Sequence, residues 1–134
     1  ADRSDQRKYL AHAWGKHNSN QTLDPLELQL VKIIEKHPEY QNIINDLETE
    51  YFPEQGRTNP FLHINLHLTL QDQISLNQPK GIKQIYSNLL KKYNDAHQVE
   101  HIMMEHIAEM IFNSQKYNKP MDLEYYLRSL KELN

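Results

Sequence analysis

Apolar residues recur at helical spacing through almost the whole chain, and this pattern constrains its fold more than any other feature. Leu10, Ala13 and Trp14 share one helical face near the start, and Leu123 and Leu127 share another near the end. No segment shows the convincing apolar and polar alternation of a half-buried strand. Glycine, which weakens helix interiors, occurs only three times in 134 residues. The predicted fold class is therefore all-α.

Helix start and stop signals divide this pattern into five to six helices. Asp24, Pro25 and Glu27 have the spacing of a capping box with proline at the first helical position, and Pro38 should end that helix. The predicted helices span about residues 4–17, 25–37, 60–77, 82–93, 95–118 and 122 onward, and the longest loop spans 46–58. We expect residues 1–134 to form a single-domain helical bundle with short connections.

Charge and composition argue against several classes of function. The net charge is -3 and the basic residues are scattered, so nucleic acid and anionic lipid are not expected as partners. The chain has no cysteine, so any metal ligands would be nitrogen and oxygen atoms. It has no apolar run of membrane-spanning length, and its first ten residues lack the apolar core of a signal peptide. These features favour a cytoplasmic protein, with homo-oligomerisation or a protein partner left open.

Two histidine pairs carry most of the functional information. His63 and His67 form one pair and His97 and His101 form the other, each with i,i+4 spacing. On a helix this spacing projects both rings from one face, a turn apart, as two ligands of one metal ion require. Among eight histidines, chance alone produces about 0.4 such pairs, so two pairs are uncommon but are not proof of a site.

The expected topology brings the two pairs together. Short connections make successive helices antiparallel, so the helices from 60 and from 95, separated by one helix, should run in the same direction. Both pairs lie near the N-terminal ends of these helices and should therefore meet at one end of the bundle. Glu100 and Glu105 flank the line of His97 and His101, whereas His106 points away from it and is expected to face solvent.

Four imidazoles with one or two carboxylates suit a zinc, iron, manganese or nickel ion, and the ligand types do not choose among these metals. The predicted metal ligands are His63, His67, His97, His101, Glu100 and Glu105. The run His97 to His101 also has the inverted zinc-protease pattern H-x-x-E-H, but that fold needs further ligands and a larger domain. Whether the protein is an enzyme stays open.

Four segments of the chain resemble a known family. They are HPEY at 37–40, TNPFLHINLHL at 58–68, QPKGI at 78–82 and the H-x-x-E-H-x-M-M-E pattern at 97–105. In this order they are similar to the bacterial family called domain of unknown function 1841, from about Trp14 to Leu130. The resemblance implies a small, single-domain, helical protein and supplies no activity. The motif positions that carry over are His37, Pro60, Phe61, His63, His67, His97, Glu100, His101 and Glu105.

Three functions stay open from the sequence. The first is a metal-binding helical domain, either a small metalloenzyme or a metal-dependent sensor. The second is a non-catalytic interaction module with structural histidines, for which the candidate contacts are Tyr51, Phe52, Tyr125, Tyr126 and Leu127. The third is a pH-responsive protein in which clustered imidazoles resist simultaneous protonation.

Overall fold

Six α-helices and one 3-10 turn make up the regular structure of the described residues. This computed structural model describes residues 3–51 and 59–134. The helices are α1 (Arg3–Asn18), α2 (Pro25–Glu35), α3 (Pro60–Leu76), α4 (Ile82–Tyr93), α5 (Ala96–Lys116) and α6 (Leu123–Lys131), and the 3-10 turn is Pro38–Tyr40. The two described ranges contain no strand, so the all-α prediction is confirmed. Each predicted helix end lies within about two residues of the observed one.

Side-chain caps explain where α2, α3, α5 and α6 begin. The Asp24 carboxylate accepts a hydrogen bond from Glu27 N, and the Glu27 carboxylate accepts one from Asp24 N, so the predicted capping box is present. Asn59 Oδ1 accepts from the backbone of Phe61 and Leu62 at the start of α3. The same kind of bond starts α5 at Asp95 and α6 at Asp122.

The chain divides into two compact units, Ala1–Asn65 and Leu66–Asn134, and the division falls inside α3. In the first unit α1 packs against α2. Its buried apolar side chains are Leu10, Ala13, Trp14, Leu30, Val31, Ile33, Ile34, Ile44, Phe61 and Ile64. The single-domain organisation of residues 1–134 stays a prediction.

In the second unit α5 packs against both α4 and α6. Its core comprises Leu70, Ile82, Ile85, Leu89, Val99, Met103, Met104, Ile107, Met110, Tyr126 and Leu130. Tyr126 donates a hydrogen bond from its hydroxyl to Gln73 Oε1 at 2.7 Å, and burial raises the pKa of this hydroxyl. Among the described residues, none of the helices combines the length and the apolar character that a membrane span requires.

His106 differs from its expected position. Its side chain is half-buried, and its Nδ1 lies 3.0 Å from Ser129 Oγ. The Ser129 hydroxyl donates its own hydrogen to the Tyr126 carbonyl, so the His106 nitrogen must be the donor of the first bond. His106 therefore links α5 to α6, whereas helical geometry alone assigned it to solvent.

A partly buried ion pair links the two helices of the first unit. Lys16 on α1 donates to the Glu27 carboxylate at 2.8 Å, and Glu27 is also part of the capping box of α2. The Tyr9 hydroxyl lies 3.3 Å from an Asp24 carboxylate oxygen. The backbone hydrogen bond from Asp24 and the bond from Lys16 lower the pKa of Glu27, and the backbone bond from Glu27 lowers that of Asp24.

We expect this network to make the protein sensitive to acid. Because the two folded-state pKa values are lowered, the contribution is fully present above the ordinary glutamate pKa of 4.5 and is lost as the pH falls through the lowered values. Melting temperatures measured from about pH 7 to 3 should fall more steeply for the wild type than for Glu27→Gln. Glu124→Gln, an exposed change on α6, is the control. Parallel curves for the wild type and Glu27→Gln would contradict this role.

Arg7 is a buried cation held by a carbonyl and aromatic rings. Its Nη1 donates to the Thr49 carbonyl at 2.8 Å, and its guanidinium carbon lies 4.2 Å from the Phe61 ring centroid and 5.8 Å from that of Tyr51. Its Nε is buried and makes no hydrogen bond within the described part of the chain. Cation–π contact therefore replaces part of the hydration that burial removes. In this way Arg7 ties α1 to the segment before residue 52 and to the first turn of α3.

Candidate functional site

The second unit gathers three imidazoles and one carboxylate, which we call the second-unit cluster. It comprises His67 from α3 and His97, Glu100 and His101 from α5. His67 is 1% exposed and Glu100 is also buried, whereas His97 and His101 are half-buried. Two ring contacts join the helices: the His67 and His97 rings are stacked at 5.1 Å between centroids, and the His67 and His101 rings lie 5.0 Å apart. Within α5 the His97 and His101 rings lie 4.2 Å apart. The cluster thus has a buried side and a side open to solvent.

Glu100 sets the orientation and the tautomer of His67. The two residues are joined by a 2.9 Å contact from His67 Nδ1 to Glu100 Oε1, and the same oxygen accepts a hydrogen bond from Gln71 Nε2 at 3.1 Å. An ionised carboxylate only accepts hydrogen bonds, so the His67 hydrogen lies on Nδ1. Burial first, and then the negative charge of Glu100, raise the pKa of the nearby Tyr86 hydroxyl. The neutral His67 ring therefore carries its lone pair on Nε2.

The Nε2 lone pair of His67 faces another imidazole nitrogen. His101 Nε2 lies 3.1 Å from His67 Nε2. Two nitrogens bound to one ion at about 2.0–2.1 Å lie roughly 2.8–3.4 Å apart for coordination angles between about 90° and 110°. An N–H···N hydrogen bond has a similar length, so the distance fits either a shared ion or a direct hydrogen bond.

The first unit contains a second arrangement of the same kind, which we call the first-unit pair. His37 Nδ1 lies 2.7 Å from the Ile33 carbonyl oxygen, and His37 Nε2 lies 3.1 Å from His63 Nε2. A carbonyl oxygen can only accept, so the His37 hydrogen must be on Nδ1 and the neutral ring has its lone pair on Nε2. His37 is 3% exposed, and the Tyr40 ring stacks on it at 5.1 Å. His37 therefore directs its Nε2 lone pair at His63, as His67 directs its own at His101.

The predicted site residues lie in both units of the structure. It brings His67, His97, Glu100 and His101 together in the second unit, and it places His63 in the first unit against His37. Glu105 is exposed on α5, and its role as a ligand stays a prediction. The predicted metal ligands did not include His37, which only the family resemblance named, or Gln71. The signal for Gln71 was its i,i+4 spacing from His67, and the signal for His37 was its place in HPEY directly before a proline.

The residues suggested for an interaction surface have different environments. Tyr126 is buried and is not available to a partner, Tyr125 is exposed, and Leu127 is half-buried. Tyr51 is half-buried beside Phe61, and Phe52 lies outside the described residues. Exposed apolar residues also occur at the end of α5 and the start of α6, namely Phe112, Tyr117, Met121 and Leu123. An interaction role for this region stays a prediction.

Comparison with known proteins supports a family assignment and no activity. No curated protein and no solved structure matches the chain. A family model described as "Domain of unknown function (DUF1841)" matches residues 2–132, which is nearly the whole chain, and it contains all the histidines of the two sites. The motifs at 37–40, 58–68, 78–82 and 97–105 all fall within this match. The chain therefore belongs to the DUF1841 family.

Proposed function

We propose that this protein binds a divalent transition metal ion through Nε2 of His67 and Nε2 of His101. The observation that carries the proposal is that the two ring nitrogens of His67 have different partners. Its Nδ1 is hydrogen-bonded to Glu100, and its Nε2 faces His101 Nε2 at 3.1 Å. Metal-bound histidines almost always donate their other ring N–H to a carboxylate, a carbonyl or water. Glu100 has this role for His67, and Gln71 in turn holds the carboxylate.

The chemistry of the cluster favours an ion that prefers imidazole. Zinc, iron and nickel accept imidazole ligands, and zinc and nickel bind nitrogen sites more tightly than manganese does. His97 is the third imidazole, since its ring contacts both His67 and His101. His97 and His101 are half-buried, so water can reach the outer side of the cluster. A coordination position open to water is what a catalytic or sensing metal needs, in contrast to a closed structural site.

The test is metal content and metal affinity of the full chain. Protein purified without an affinity tag should carry near-stoichiometric transition metal by elemental analysis, and the metal-free protein should bind Zn²⁺ in a calorimetric titration. His67→Ala combined with His101→Ala should weaken binding by more than about tenfold, since it removes both proposed ligands. His12→Ala, which removes an exposed histidine of α1, is the matched control. A metal-free protein that also fails to bind Zn²⁺, Fe²⁺, Mn²⁺ or Ni²⁺ would rule the proposal out.

A further inference from the structure

We propose that His37 and His63 in the first unit are also metal ligands and bind a divalent transition metal ion through their Nε2 atoms. His37 is not among the residues that helical spacing selects, because it lies beyond the end of α2. The proposal stands on contacts within the first unit and does not require the ligands proposed for the second unit. Two imidazoles leave the remaining coordination positions of the ion to water or to other ligands.

His37 is held in place without any help from His63. Its Nδ1–H donates to the Ile33 carbonyl at 2.7 Å, and the Tyr40 ring covers it in a nearly parallel stack, with 6° between the ring planes. The side chain is also 3% exposed. A ring fixed by a hydrogen bond, a stacking partner and burial keeps its Nε2 lone pair in one direction before any ion arrives. Such preorganisation reduces the conformational cost of binding.

The sequence HPEY explains this local structure. Pro38 cannot continue α2 and begins the 3-10 turn. The backbone nitrogen of His37 still donates to Ile34 O at 2.9 Å, and Tyr40 N donates to His37 O at 2.9 Å. These two bonds form consecutive tight turns, in which the Tyr40 ring stacks on the imidazole and His37 Nδ1 bonds to the Ile33 carbonyl in the last turn of α2.

His63 approaches His37 with its ring edge. The two ring planes are inclined by 77° with their centroids 4.9 Å apart, and the His63 ring is inclined by 74° to that of Tyr40. In this arrangement the Nε2 atoms are 3.1 Å apart, within the range for two nitrogens on one ion. His63 is half-buried, so the pair is within reach of an ion from solution.

The competing explanation is a direct hydrogen bond from His63 Nε2–H to His37 Nε2, with a purely structural role. The two explanations differ in their response to metal. A structural pair stabilises the protein equally with and without Zn²⁺, whereas a ligand pair contributes to the extra stability that Zn²⁺ confers on the folded state.

The experiment compares the rise in melting temperature on adding Zn²⁺ to metal-free full-length protein. We expect His37→Ala and His63→Ala each to reduce this rise, with the second-unit cluster accounting for the part that remains, and His12→Ala to leave it unchanged. Long-range ¹H–¹⁵N spectra of the wild type give a second measurement that does not depend on the folding of a variant. They should show His37 as the Nδ1–H tautomer, with the Nε2 resonances of His37 and His63 shifting on addition of Zn²⁺.

The outcomes separate this proposal from the one for the second unit. If His37→Ala and His63→Ala keep the full Zn²⁺-induced rise and the two Nε2 resonances do not move, the first-unit proposal is overturned and the second-unit proposal stands. If these Nε2 resonances still move when His67 and His101 are both alanine, the first-unit proposal stands without the second. If Zn²⁺ affects neither the melting temperature nor any imidazole resonance of the wild type, both proposals fail.

Discussion

Glu100→Gln is expected to weaken Zn²⁺ binding by about 10- to 100-fold while leaving the protein folded. The amide keeps the size of the carboxylate and can still accept from Gln71, so packing changes little. It removes the negative charge that strengthens the His67 Nδ1–H hydrogen bond and makes His67 Nε2 more basic. The measurement is a Zn²⁺ titration against a competing chelator, with the melting temperature of the metal-free protein as the folding control.

Glu105→Gln is the matched control for this prediction. It is the same chemical change on the same helix, but its side chain is exposed. If Glu105→Gln weakens binding as much as Glu100→Gln does, then Glu105 contributes to the site and the effect of Glu100 is not specific to its bond with His67. If neither change affects the affinity, Glu100 does not orient a metal-bound histidine.

Tyr126→Ala is expected to lower the free energy of unfolding by about 3–5 kcal/mol. The side chain is 1% exposed and lies within the core of the second unit. Its removal leaves a cavity among closely packed side chains and breaks the hydrogen bond to Gln73. Tyr126→Phe keeps the ring and loses only that bond, so its cost should be about 1 kcal/mol. The measurement is urea unfolding followed by circular dichroism.

The neighbouring tyrosine is the natural control. Tyr125 is 44% exposed, so Tyr125→Ala should change the stability by no more than about 0.5 kcal/mol. Equal effects at the two positions would contradict the burial on which the prediction depends. Of the two tyrosines suggested as interaction contacts, only Tyr125 is exposed enough to reach a partner.

Most of the secondary structure followed from local signals. The α2 start was predicted because Asp24, Pro25 and Glu27 lie within one turn and bond to one another, so no distant residue is needed to form the cap. Pro38 ended the same helix because it lacks the N–H that helix continuation requires. These interactions connect residues close in sequence, and that is why they can be recognised from sequence alone.

The candidate sites were only partly predictable. The spacing of His97 and His101 placed both rings on one face of α5, and the structure brings His67 to them. The spacing could not reveal that His63 contacts His37, because 26 residues separate the two and His37 lies outside any helix. His106 shows the same limit, since its partner Ser129 is on a different helix.

The sequence by itself determined the helices, their ends, the absence of thiolate ligands and the clustering of histidines at helical spacing. Only the tertiary structure decided which nitrogen of His67 carries the hydrogen and which histidine faces His37. His67 donates to Glu100, 33 residues away, and His37, which donates to the Ile33 carbonyl four residues earlier, faces His63, 26 residues away. The physical reason is that a neutral imidazole has two nearly equivalent tautomers, and the hydrogen-bond partner that packing supplies selects one of them.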